Sequence, residues 1–412
     1  VAGSAYTFTY TTVGEIVAWV IGWDLILEML MAGSVVSKYW GVYLNQFFEL
    51  IGWNINTNIA IGSFNFDLAP VIIVAFFTAL LVMGTKIGAR VDGALTILKI
   101  AIVVFIVVVG FFYIKAENFT PFIPPSEPAA STDGSGVSAV MEQPLWQWAT
   151  GMAPSIYGVT GIISGAALVF FAFLGFDVVA TASEETINPK KNVPLGIGVG
   201  LGLIIVLYTL VAIVTTGMVS YKDLAKQSDP SLAVAFKMVG ADWAAKIISL
   251  GIVIGMATVV MVLLLGLTRV VFAMSRDGLL PRGLSHTGKH GTPVRLQIIV
   301  GVVMALIAAC CNVGILSDMV NIGTLSAFTL VAISIPIMRK KRPDLERSFK
   351  IPGNPWVPIL IALANLWLMV NLSVLTWIRF VVWLIVGFAI YFGYGYRHAR
   401  LGAGELEVAA QE

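Results

Sequence analysis

The sequence predicts an all-α integral membrane protein, and three observations carry that prediction. Of its 412 residues, 58% are hydrophobic and 12% are Asp, Glu, Lys or Arg, about half the charged share of a soluble domain. The mean hydropathy is +0.91. The apolar residues run in continuous stretches of about 20, enough to cross roughly 30 Å of hydrocarbon as helix. They do not alternate with the period of two that a barrel strand needs. A soluble fold must cover its surface with polar groups that this composition does not supply. Inside lipid, a helix satisfies every backbone N–H and C=O within its own segment.

Ten spans are predicted, over 13–37, 67–84, 93–114, 161–183, 194–219, 245–274, 296–316, 318–338, 356–375 and 376–396. The first carries GWDLILEMLMAG, in which Asp24 and Glu28 stand four apart and so share one helix face, turned into the bundle rather than toward lipid. Glu28, near mid-span, reads as functional, and Asp24 equally as a structural partner. The third span holds Lys99 in ILKIAIVVFIVVVGFF. An ammonium there costs roughly 2.5 to 3.5 kcal/mol on insertion scales. A snorkelling lysine is the alternative, but a proton-coupling group is the favoured reading.

The fourth span is the most informative. In GAALVFFAFLGFDVVATASEETINPKKNVP the apolar run is interrupted by Gly175, contains Asp177, and sets Phe170, Phe171, Phe173 and Phe176 among small residues such as Ala172. Two readings stand: a discontinuous helix whose freed backbone groups coordinate a ligand that the rings occlude, or a tightly packed span with small-residue contacts. Asp177 favours the first. Pro194 is expected to start the fifth helix. At the end of the sixth, Arg269 and Asp277 read as interfacial anchors, with a gate salt bridge as the alternative. Cys310 and Cys311, adjacent in an apolar run, read as soft filler.

Lys and Arg concentrate in 85–92, 184–193, 275–295, 339–355 and the tail from 397, and are sparse on the alternate loops. That bias places both termini in the cytoplasm. The longest outside segment, 115–160, is rich in Pro, Ser and Gly and loop-like, so residues 1–412 read as a single membrane domain. The net charge of +2 and the short basic clusters give no basis for a nucleic-acid partner. His286, His290 and His398 lie in loops or the tail without metal-ligand spacing, so no metal site is predicted. The SDG, GSG and GKH triplets lack the context of a phosphate loop, so no nucleotide or other cofactor is expected. An intramembrane enzyme would need a nucleophile, base or metal cluster in the spans, which offer the cysteine pair and no histidine; no catalytic residue is assigned. A passive channel remains a third class, marked by flux that does not saturate.

At VAGSAYTFTYTTVGEIVAWVIGWDLILE, FFAFLGFD with EETINPKKNVP, AMSRDGLLP, GTPVRLQ and RPDLERSFKIPGNPWVPIL the chain resembles the cationic amino acid transporter branch of the amino acid, polyamine and organocation superfamily. The resemblance implies an inverted-repeat fold of five plus five helices around a midplane substrate site, with the first helix of each repeat broken and two further C-terminal helices. It implies amino acid uptake across the plasma membrane coupled to protons, with exchange as the alternative mode. By the same matching, Lys99 is the lysine whose amine stands where related symporters bind sodium, and Phe171 is the aromatic gate. The backbone of Phe170 to Gly175 meets the substrate amino group, and Glu28 matches an acidic position of the branch. Cationic and neutral amino acids both stay open as substrates.

Two departures accompany the match. The chain opens on Val1, with no signal peptide, where the family's third span begins. The start reads as cut, with the first two spans absent: 161–338 holds a complete repeat of five spans, whereas three precede it. Leu267 stands where many relatives carry glutamine before the arginine of that span, Arg269.

Overall fold

A computed structural model describes residues 6, 10, 14–53, 55, 57–61, 64–84, 89–128, 139–175, 186, 188–227, 229–286, 292–341, 343 and 351–399. Its framework is helical: α1 (Glu15–Leu50), α2 (Leu68–Val82), α3 (Ala89–Phe111), α4 (Gly158–Val169), α5 (Pro189–Met218), α6 (Asp242–Arg276), α7 (Val294–Cys310), α8 (Val313–Lys341), α9 (Trp356–Val370) and α10 (Val374–Ile390). Among the described residues, six helices are long and apolar enough to cross a membrane, those of α1, α3, α5, α6, α8 and α10. The apolar helices α2, α4, α7 and α9 are shorter. A hairpin of β1 (Asn58–Ile61) and β2 (Phe64–Asp67), with Asn58 opposite Asp67, leads into α2. The Asp67 side chain caps α2 by accepting from the Ala69 N–H at 3.2 Å.

Several boundaries differ from the sequence reading. The first helix runs on past 37 to Leu50, because SKYWGVYLNQFFEL continues without a breaker. The fifth begins at Pro189, after Asn188 in the left-handed region at φ 51°, so Pro194 lies inside the helix rather than at its start. The turn between the seventh and eighth falls at Cys311, whose φ −100° and ψ 150° are extended. Asp318 is therefore inside α8, not at its mouth. The fourth stretch is not one helix. Its α-helix stops at Val169, tightens into a 3-10 turn over Phe170–Phe173, becomes extended at Leu174 (φ −68°, ψ 151°), and reaches Gly175 at φ 117°. That last value is one that only glycine adopts without strain.

The centre of the molecule is α1, which packs along α6, α8, α7 and α2. Of its most apolar window 83% is buried, against 6% for α5. One apolar cluster joins α1, α2, α6 and α7; a second gathers α3, α5, the short helix Leu232–Met238 and the start of α6. A third joins α1, α4, α8, α9 and α10 around Leu27, Ala167, Ile322 and Phe380. An aromatic stack fastens α10 to α1. Trp23 stacks on Trp383 at 4.4 Å and on Trp19 at 5.6 Å, and its indole N–H donates to the Trp383 carbonyl at 2.9 Å. Gly387 leaves the room for that indole, since a Cβ there would collide with it.

Candidate functional site

The end of α4 is held from two sides. The Tyr208 hydroxyl of α5 donates to the Ala172 carbonyl at 2.9 Å, and the Asn321 amide of α8 donates to the Leu168 carbonyl at 2.7 Å. Both acceptors lie where an α-helix gives up its own partners, so α5 and α8 supply donors that the broken ladder lacks. The rings follow the same division. Phe173 meets Tyr208 edge-on at 5.3 Å, and Phe170 meets Phe328 of α8 at 6.2 Å. Phe171 and Leu174 turn the other way and pack against the cluster around α1 and α6. Nothing stands within 4 Å of where a Gly175 side chain would project.

Glu28 is buried in α1, as is Asp24, which lies beside Ser326 of α8. Here α8 approaches closely, for a Cβ on Gly323 would lie 3.1 Å from Leu27 and 3.5 Å from the Asp24 carbonyl. Lys99 is half-buried on α3, its stem over Gly255 of α6, with Cγ 3.2 Å from where a side chain at that glycine would begin. Asp177, with Glu184 and Glu185, lies outside the described residues. Asp277 accepts from the Tyr6 hydroxyl at 3.0 Å and lies 3.5 Å from its neighbour Arg276.

A cavity of about 870 Å³ runs along one face of α4, past Gly158, Gly161, Ile162 and Ser164 to Leu168, immediately before the 3-10 turn begins. Its far walls are Asp318 of α8 and the connection Asn371–Ser373 between α9 and α10. Its size lies within the range of small-molecule sites. Tyr208, Asn321, Phe328 and Asp318 escaped the sequence reading. Asp318 and Asn321 carried a signal, being polar residues on consecutive turns of an apolar helix; Tyr208 and Phe328 carried none.

A family model described as amino acid permease matches residues 1–393. The chain belongs to the amino acid permease family. Its similarity to a branched-chain amino acid permease of Bacillus subtilis (strain 168) is 41% identity over 411 residues, covering 97% of this chain and 81% of that protein. A methylthioribose transporter of the same organism is 39% identical over 409 residues, with the same coverage. The human cationic amino acid transporter 4 is 27% identical over 531 residues, covering 98% of the chain and 78% of that protein. This is a family of integral membrane permeases and transporters, not of enzymes, and six helices of this chain are long and apolar enough to cross a membrane.

Proposed function

We propose that this permease carries out secondary active transport of amino acids across the plasma membrane, by proton-coupled symport with alternating access. The observation that carries the reading is the interruption of α4 at Phe170–Gly175, just past the stretch of that helix, Gly158 to Leu168, that lines the cavity. An interrupted helix in an apolar bundle turns backbone N–H and C=O groups away from the helical ladder, and such groups are suited to hold a zwitterion. Phe171 closes over the substrate, and Glu28 and Asp177 supply negative charge to its ammonium end. Lys99, whose stem crosses from α3 to α6, takes and releases the coupled proton. All ten apolar helices span the bilayer, α4 to α8 form one complete repeat, and both termini face the cytoplasm.

The similarity to the branched-chain permease favours a neutral substrate with an apolar side chain, such as leucine. The comparable identity to the methylthioribose transporter makes an uncharged thioether the first compound to test beside it. The decisive experiment uses proteoliposomes of the full chain with acid outside and no other gradient. Labelled leucine is expected to rise above its equilibrium distribution, and a protonophore is expected to abolish the rise. Counterflow exchange with no concentrative uptake would replace symport by exchange.

A further inference from the structure

The centre of the bundle holds an acid that the transport reading does not use. Asp24 stands near the middle of the first predicted span, 13–37, and is 0% exposed. Among the described residues, neither of its carboxyl oxygens has a hydrogen-bond partner. The polar group beside it on α8 is Ser326. Buried hydroxyls of the three central helices are engaged on their own ladders and do not serve it as donors. Ser34 of α1 donates to the Leu30 carbonyl at 2.8 Å, Thr268 of α6 to the Leu264 carbonyl at 2.8 Å, and Thr324 of α8 to the Val320 carbonyl at 2.9 Å. The next acid on α1 is Glu28, one turn on. The apolar helix α2 contains no charged residue, and the charged side chains of α6, α7, α8 and α10, Arg269, Arg295, Asp318 and Arg379 among them, do not act on Asp24.

A carboxylate without a counter-charge or a donor does not stay ionised in an apolar interior; it takes up a proton instead. The neutral acid still forfeits the bonds that its carbonyl and hydroxyl would make, so an apolar side chain of the same size would suit this packing better. An acid kept only to brace the structure would be bonded in the state it braces. Asp24 is unbonded here, which points to another arrangement of the helices in which it finds partners. The element that covers it is α8, and the approach is close because residue 323 is glycine: a Cβ there would lie 3.5 Å from the Asp24 carbonyl.

We infer that Asp24 carries a proton in this conformation and releases it when α8 draws away from α1 and water reaches the carboxyl, which makes Asp24 a proton-carrying group of the transport cycle in addition to Lys99. In the release step the O–H bond breaks, the proton passes to water, and the carboxylate keeps the electron pair. The release rests on the transport reading; the neutral state of the acid does not.

The test is infrared spectroscopy of the full chain in lipid vesicles at neutral pH. The parent spectrum is expected to contain the carbonyl band of a protonated carboxylic acid that Asp24→Asn lacks. Asparagine has the shape of the neutral acid, so the variant should melt at the parent's temperature; a large drop would mean that an ionised, paired carboxylate had been replaced. Leucine turnover under an inward proton gradient should then diminish the band in the parent. Identical carbonyl regions in the two spectra would mean an ionised Asp24 and overturn the assignment. A band that turnover leaves constant would mean a fixed structural proton and overturn the coupling role. A chain that shows the band but takes up no leucine would remove the transport reading, and the coupling role with it, and leave the neutral acid standing.

Discussion

At the scale of single residues, the contact between Lys99 and Gly255 is the sharpest constraint. The lysine stem occupies the space a side chain at 255 would take, so branched carbons there must move it. Gly255→Val is expected to reproduce the phenotype of Lys99→Ala: loss of accumulation driven by a pH gradient, with the chain still folded by its melting curve. A Gly255→Val transporter that accumulates normally would place proton coupling elsewhere. Phe171 makes a second test. Its ring turns toward the α1 and α6 cluster from the interrupted segment, and its removal forfeits about 1.5 to 3 kcal/mol of apolar contact. If that contact forms with substrate, Phe171→Ala raises KM by about tenfold or more, measured as initial uptake rate against leucine concentration at matched expression. An unchanged KM would make the ring a packing residue only.

At the scale of elements, helix crossings and one exposed ion pair carry the predictions. At the crossing of α7 and α2, a Cβ on Gly301 would collide with the Thr78 hydroxyl. Gly301→Val is therefore expected to cost about 1 to 3 kcal/mol by overpacking. Gly314, with nothing within 4 Å, should tolerate Ala and gain slightly from helix propensity. Melting temperatures of the two variants in one detergent decide the matter. The ion pair of Lys222 with Glu127 ties the strand Glu127–Pro128 to the short helix Tyr221–Ala225. The bond to Glu127 raises the Lys222 pKa above its ordinary 10.5. The folded chain thus holds this proton more tightly than the unfolded chain does. Its contribution is complete below about pH 10.5 and is lost as pH rises through the folded value. The melting curves of the chain and of Lys222→Gln should differ at neutral pH and converge at strongly alkaline pH; a gap that persists there would mean the lysine acts through packing.

At the scale of the whole molecule, α1 is the mast around which the other helices pack, and the stack of Trp19, Trp23 and Trp383 ties the last helix to it. The proposed alternating access exposes the site to one side at a time, so leucine uptake is expected to saturate with concentration. Uptake rising linearly without limit would identify a passive pore instead. Trp383→Ala should cost about 2 to 4 kcal/mol, less than a fully buried tryptophan loses because this one is partly exposed, and should lower the melting temperature without abolishing leucine binding.

Much of this architecture was legible without coordinates, since lipid imposes a local rule. An apolar run must close its hydrogen bonds within itself, so length and composition alone locate the helices. The matching motifs likewise carried the family. The interruption at Gly175 was legible as one of two readings, because glycine among aromatics permits a break without compelling it. What tertiary structure alone decided is which groups meet: Tyr208 and Asn321 completing the bonds at the end of α4, Lys99 crossing to Gly255, and Asp318 joined through Thr376 to the α9–α10 connection. Those partners lie tens to hundreds of residues apart in the chain. Helix periodicity reports the face on which a side chain stands; which other helix that face meets depends on how the whole set packs.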